Sequence, residues 1–246
     1  MYGHTHAFGG LGAASLTAVM VSNPNVPTLV VASLLGAGMA VTPDLDTKGV
    51  ASGSVGGFGF GINTVLAGMS KGFFWATKGR NDNPPAHTDG SHRTLTHTAL
   101  FMALVGALFF FTVRYTFVLW SAFLLSFGVA ALLPKVKDRV KKLGSLGMLA
   151  VMLGLSIGVY ALWGNVLDYR VIGFAGIAAL FSHRLLDLTT AGVPWTFAPL
   201  VPIRSKRWAR YRLPIESGST LANTLWKLLS LGVAGYAVYI FLLGVS

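Results

Sequence analysis

TALFMALVGALFFFTVRYTFVLWSAFLLSFGVAALL, residues Thr98–Leu133, is apolar from end to end except for Arg114 near its middle. A helix crosses a bilayer with about 17–25 residues, so the run is too long for one span. An arginine at the bilayer centre would also cost several kcal/mol. Two helices, 98–113 and 116–133, with Arg114-Tyr115 as a tight turn at the far surface, remove both problems. The run is therefore a membrane hairpin, and both of its ends lie on one side.

Working outward, five further segments have comparable character: 7–22, 28–43, 144–163, 170–188 and 221–245. The first two are joined by Asn23-Pro24-Asn25, a turn signal. Residues 55–77 are apolar but rich in glycine and contain Lys71, which suits an interfacial or re-entrant segment. The expectation is an all-α, polytopic membrane helical bundle of about seven spanning or near-spanning helices. An interfacial segment lies near 55–77, and residues 1–246 form a single unit. Composition agrees: of 246 residues 53% are hydrophobic and only 11% charged, against about 25% charged in soluble domains. The N-terminus lacks the basic region of a signal peptide.

Nineteen Lys and Arg face eight Asp and Glu. The basic residues flank apolar segments instead of forming a soluble face, which points to anionic lipid and orientation, with no nucleic-acid partner expected. If 55–77 does not cross, one side collects Lys48, Lys71, Lys78, Arg80 and Arg93. It also collects Lys135 to Lys142 and Arg204 to Arg212, while the other keeps little beyond Arg114 and Arg170. The positive-inside rule makes the loaded side cytoplasmic, with the N-terminus inside and the C-terminus outside.

Chemistry-bearing residues gather on that same side. His4 and His6 lead into the first helix, and Asp44 and Asp46 follow the second. His92 and His97 open the third, and His183 and Asp187 close the sixth. His183 and Asp187 are four apart and share a helix face. Asp44 and Asp46 follow Pro43, and an extended backbone there would point both carboxylates the same way. His92 and His97 converge if His92 lies in the approach and His97 in the first turn, with Thr94 or Thr96 as N-cap. Cysteine is absent, so any metal is held by His, Asp or Glu. These helix ends offer enough nitrogen and carboxylate ligands for two ions sharing a bridge, Asp44 or Asp46. The ions suited to such ligands are Zn²⁺, Mn²⁺ and Fe²⁺. Arg93 and Arg184 each follow a candidate histidine and are placed to meet a phosphate or a lipid headgroup.

Pro43-Asp44-Leu45-Asp46, His92-Arg93-Thr94-Leu95-Thr96-His97-Thr98 and Ser182-His183-Arg184-Leu185-Leu186-Asp187 resemble the YdjM-type family. Its members are bacterial inner-membrane proteins named for a LexA-regulated example and described as metal-dependent hydrolases. Thr189 to Trp195, Arg212-Leu213-Pro214-Ile215 and a histidine near the N-terminus, His6, match the same pattern. The resemblance implies His6, Asp44, Asp46, His92, His97, His183 and Asp187 as metal ligands. It also implies a distant similarity to zinc-dependent phospholipase C and nucleases of that fold, with two or three zinc ions acting on phosphate esters. His87 and Asp89, in the 78–90 loop, have no assigned role. A glutamate often found after Arg-Leu-Pro-Ile is missing here, and Glu216 is out of register.

The function expected is a membrane-bound hydrolase cleaving a phosphoester, with Asp44, Asp46, Arg93 and Arg184 at the reacting centre. Its substrate would be a lipid, a lipid-linked phosphate or a phosphorylated small molecule. The alternatives are a metal-handling or transport protein, and a membrane protein whose polar cluster binds a partner. Transport places ionisable groups near the bilayer midplane, whereas these lie at helix ends.

Overall fold

The computed structural model describes residues 3–47, 57–84, 92–133, 144–190, 193–194, 198–200, 206–208, 210–211 and 220–244. His87, Asp89, Arg212 to Ile215, Glu216 and the basic residues Lys48 and Lys135 to Lys142 lie outside them. Among the described residues the helices are α1 (Gly3–Val21), α2 (Val26–Met39), α3 (Gly57–Thr77), α4 (Ala99–Thr112), α5 (Phe117–Leu132), α6 (Gly144–Trp163), α7 (Tyr169–Thr190) and α8 (Thr220–Leu243). Two 3-10 turns, Thr42–Asp46 and Leu95–His97, and one antiparallel pair, β1 (Val193–Pro194) with β2 (Arg210–Tyr211), complete the order. The fold is an all-α bundle of membrane type. Three stretches, Val26–Asp46, Tyr169–Thr189 and Ala222–Leu243, are long and apolar enough to cross a bilayer, and Ala99–Thr112, Phe117–Leu132 and Leu149–Trp163 are shorter apolar helices.

The hairpin turns where Arg114 demands it. α4 stops at Thr112, whose carbonyl accepts the backbone N–H groups of Tyr115 and Thr116, both at 3.0 Å. Thr98 caps α4 by accepting the Phe101 N–H at 3.1 Å, so the N-cap is neither Thr94 nor Thr96. α2 starts on Asn25, which accepts the Thr28 N–H at 2.8 Å. α7 starts on Asp168, whose Oδ1 accepts the N–H groups of Arg170 and Val171. Asn25 also donates to the Val166 carbonyl, and Thr28 accepts from the Asp168 N–H. The starts of α2 and α7 are thus tied together at one end, which places their C-termini together at the other.

Large side chains fill the centre of the bundle: Met39, Met102, Phe109, Phe117, Leu124 and Leu180 are fully buried. Small residues bring backbones close. A Cβ on Gly38 of α2 would fall on the Leu124 carbonyl of α5, and one on Gly36 would collide with Ala14 of α1. α8 lies against α1, with Thr5 donating to Asn223 at 3.0 Å, yet only 11% of its apolar window is buried. Leu225, Leu229, Tyr239 and Leu242 point outward, a surface that water would penalise and lipid accepts.

α3 is one continuous helix across most of the predicted interfacial segment, with no re-entrant break. It buries Asn63, Ala67, Ser70 and Phe74 and exposes Val65, Met69 and Trp75. Asn63 and Ser70 turn inward beside Ala67 and Phe74 while Val65, Met69 and Trp75 face out, which suits a helix lying between a polar site and lipid. Asn63 donates to the Thr47 carbonyl at 3.0 Å, and Thr94 donates to the Ser70 carbonyl at 3.2 Å. α3 therefore covers both 3-10 turns.

Candidate metal centre

Pro43 ends α2 and the chain tightens into the Thr42–Asp46 turn. The expected extended geometry is thereby corrected. A 3-10 turn has about three residues per turn, so residues two apart point in different directions. Asp44 faces His6, His97 and His183, whereas Asp46 faces His92, Thr96 and Ser70.

His6 comes from the first turns of α1, His97 from the turn before α4, and His183 and Asp187 from the last turns of α7. All four are buried to within 1% of full. The Nε2 atoms of His97 and His183 lie 3.1 Å apart. Each is 3.4 Å from Asp187 Oδ2, and they stand 3.5 and 3.7 Å from Asp44 Oδ1. On the other side of both carboxylates, His6 Nε2 stands 3.4 Å from Asp187 Oδ1 and 3.9 Å from Asp44 Oδ2. The His6 and His183 rings stack with centroids 3.8 Å apart.

These separations decide between two readings. A charge-assisted imidazole–carboxylate hydrogen bond is about 2.7–2.9 Å long, and among the described residues neither Asp187 oxygen has a hydrogen-bond partner despite complete burial. Two ligands about 2.0–2.1 Å from one tetrahedral ion stand about 3.3 Å apart. The His97, His183, Asp44 and Asp187 atoms are spaced as ligands of one ion. His6 with the remaining carboxylate oxygens offers a neighbouring position, so Asp44 and Asp187 are the carboxylates placed to be shared between two ions. Asp46, the other bridge expected, is occupied elsewhere.

The hydrogen bonds behind the ligands point the same way. His183 Nδ1 is 2.7 Å from the Ala40 carbonyl, so it carries the proton and Nε2 presents a lone pair. Thr96 donates to Asp46 Oδ2 at 2.5 Å and lies 3.0 Å from His97 Nδ1. With its own proton committed to Asp46, Thr96 accepts from Nδ1–H, and His97 Nε2 is again a lone pair. Two lone pairs 3.1 Å apart repel unless a cation or a proton lies between them. Burial alone would keep His97 neutral, but the Asp187 and Asp44 carboxylates overcome it and push its pKa up to about 9. The centre calls for positive charge, which a proton on His97 or a divalent ion would supply, and its imidazole nitrogens and paired carboxylates suit zinc or a similar ion.

Asp46 Oδ1 meets His92 Nδ1 at 2.6 Å, a true hydrogen bond, and the His92 and His97 rings contact edge to face at 5.0 Å. Asp46, His92 and His97 form a second group with ligand spacing. His92 is the most open of these side chains at 16% exposure, with Asp44 next at 9%. Both mark the rim. His4 is not part of the ligand groups among the described residues.

The two arginines differ. Arg184 donates from Nη1 to the His97 carbonyl and from Nη2 to the Pro194 carbonyl, both at 2.6 Å. It clamps the His97 turn to β1, a positioning role in place of the phosphate contact expected. Arg93 sits at φ 57°, a left-handed conformation unfavourable for a residue with a Cβ, and its buried Nε has no partner among the described residues. Its carbonyl accepts from Arg210 Nη2 at 2.7 Å, which brings a second cation to the rim.

Four contributors escaped the sequence reading. Thr96 orients His97, and its only signal is its place beside that histidine. Ser70 and Asn63 from α3 reach the turns from a segment that reads as apolar. Asp82 accepts the N–H groups of Gly79, Arg207 and Trp208 and is 4% exposed, though Asn-Asp-Asn-Pro reads as a solvated turn. It docks 206–208 on α3, where Trp208 packs on Phe73 and Phe74.

The model of the YdjM inner membrane protein family matches residues 1–142. This chain belongs to that family. The matched part holds His6, Asp44, Asp46, His92 and His97; His183 and Asp187 lie beyond it and are brought in by α7. Comparison with curated proteins and with solved structures finds no match.

Proposed function

We propose that this YdjM-family protein is a membrane-bound, metal-dependent hydrolase acting on a phosphoester of a lipid or lipid-linked substrate. The observation that carries the reading is the set of buried imidazole and carboxylate atoms around His97 and His183, whose nitrogen–oxygen separations of 3.4–3.7 Å are those of ligands and longer than a hydrogen bond. His97, His183, Asp44 and Asp187 would hold one zinc-type ion, and His6 with the far carboxylate oxygens a second. Asp46 and His92 border the pair. Divalent ions in such a site supply Lewis acidity to a phosphoryl group and a water of lowered pKa.

The chain's own residues do the rest. Asp46 through Thr96 fixes the tautomer of His97, and the Ala40 carbonyl fixes that of His183. Arg93 and Arg210, at the rim, hold the anionic phosphate. His92 is tied through Nδ1 to Asp46 and lies at the opening, where Nε2 exchanges a proton with the leaving oxygen. The multi-pass arrangement follows the basic loops: N-terminus and metal centre on the cytoplasmic side of the bacterial inner membrane.

The test is metal analysis of purified protein together with release of phosphate or headgroup from a lipid panel. Stoichiometric zinc, manganese or iron, and hydrolysis abolished by Asp44→Asn and by His97→Ala, are expected. Hydrolysis that survives both substitutions would overturn the mechanism, and bound metal with uptake but no hydrolysis would favour metal handling.

A further inference from the structure

At the end of the bundle opposite the metal centre, the α4–α5 turn and the α6–α7 connection enclose a cavity of about 820 Å³. Such a volume suits a small organic ligand, for which pockets of about 300–1,000 Å³ are usual. Its wall includes Arg114, Tyr115, Tyr160, Asn165, Tyr169 and Arg170. Neither guanidinium has an ion pair or side-chain hydrogen bond among the described residues. The carboxylate at hand, Asp168, turns its Oδ1 to the backbone N–H groups that open α7, and the Tyr169 hydroxyl donates to the Gly164 carbonyl. Two cations thus share one concavity with a single carboxylate, Asp168, which leaves the hollow with a net positive charge.

A second feature adjoins it. An apolar groove of about 400 Å³ begins at Thr116, the residue after Tyr115, and continues along one face of α5 over Leu119, Trp120 and Phe123. The Trp120 indole N–H is already bonded to Thr112 at 2.9 Å, so the groove receives only its ring. Head-group chemistry therefore meets chain chemistry at one point of the bundle.

We propose that this surface binds an anionic phospholipid, the phosphate between Arg114 and Arg170 and an acyl chain along Thr116, Leu119, Trp120 and Phe123. A phosphate alone is far smaller than the cavity, and a soluble phosphate compound would leave the apolar groove uncovered. Both arginines line the same hollow. The site is independent of the metal centre and of any reaction there.

The test uses full-length protein in detergent and native mass spectrometry with phosphatidylglycerol, phosphatidylcholine or glycerol 3-phosphate. Wild type is expected to retain one phosphatidylglycerol in preference to phosphatidylcholine. Retention should fall about tenfold or more in Arg114→Gln/Arg170→Gln, given the attraction of each basic side chain to anionic lipid. Because neither guanidinium has a partner, the double variant should melt with wild type; if it does not, each single change should still weaken retention severalfold. Equal retention by wild type and the arginine variants would overturn the site. Tight binding of glycerol 3-phosphate, with lipid retention unmoved by Leu119→Ser, would overturn the lipid as its occupant.

Discussion

Replacing Asp187 with asparagine separates a metal centre from a proton-sharing network. The substitution keeps the shape of the side chain and removes one of the two carboxylates that lie between the His97/His183 pair and His6. If the cluster holds an ion at a free concentration about a thousandfold above its dissociation constant, binding stabilises the fold by about 4 kcal/mol. Loss of an orienting partner outside the ligand shell already weakens metal binding by about 10–100-fold, so loss of a charged ligand should reach at least the upper figure. That removes about 2.7 kcal/mol of linked stability, or about 5–10 °C in melting temperature for a chain of this size.

The assay is thermal unfolding in detergent with and without a strong chelator, alongside metal content. Wild type should carry stoichiometric metal and lose about 8–16 °C on chelation, while Asp187→Asn should melt lower and respond weakly to the chelator. A proton-sharing cluster behaves differently: Asp187→Asn would still lower the melting temperature, but chelation would leave both proteins unchanged. That result, or an equal chelator response in the two, would refute the ligand-spacing argument.

Thr96→Val breaks the Asp46–Thr96–His97 chain while keeping its volume, and should lower metal affinity about 10–100-fold in competition with a chromophoric chelator; unchanged affinity would show that Thr96 does not orient the ring. Asp82→Ala strips the acceptor from the N–H groups of Gly79, Arg207 and Trp208. Tryptic cleavage at Lys206 and Arg207 should speed up about tenfold or more, because a buried charged acceptor contributes about 1.5–3 kcal/mol. Gly38→Ala puts a methyl on the Leu124 carbonyl and should cost about 1–3 kcal/mol by forcing α2 from α5; an unchanged melting temperature would contradict that contact.

How much of this was legible depends on whether the cause was local. The α4–α5 hairpin follows from the cost of one arginine in hydrocarbon, so Arg114 fixes the turn without knowledge of any partner. The His183–Asp187 pair follows from helix phase, since α7 is regular and four residues return to one face. The direction of Asp44 against Asp46 had no such basis. Pro43 announces that α2 stops, but extended chain and 3-10 turn are both open to it, and they send the second carboxylate to different neighbours. What selects the turn is its lid: Asn63 holds the Thr47 carbonyl and Ser70 reaches Asp46, both from a helix that composition marks only as apolar. Arg184 was misjudged for the same reason. Its adjacency to His183 is visible in sequence, yet the His97 and Pro194 carbonyls that occupy it come from segments that approach only after folding. Residue types at helix ends thus announce a buried His/Asp cluster, while its division into inward-facing groups, orienting groups and clamps belongs to the turns that α3 and β1 hold in place.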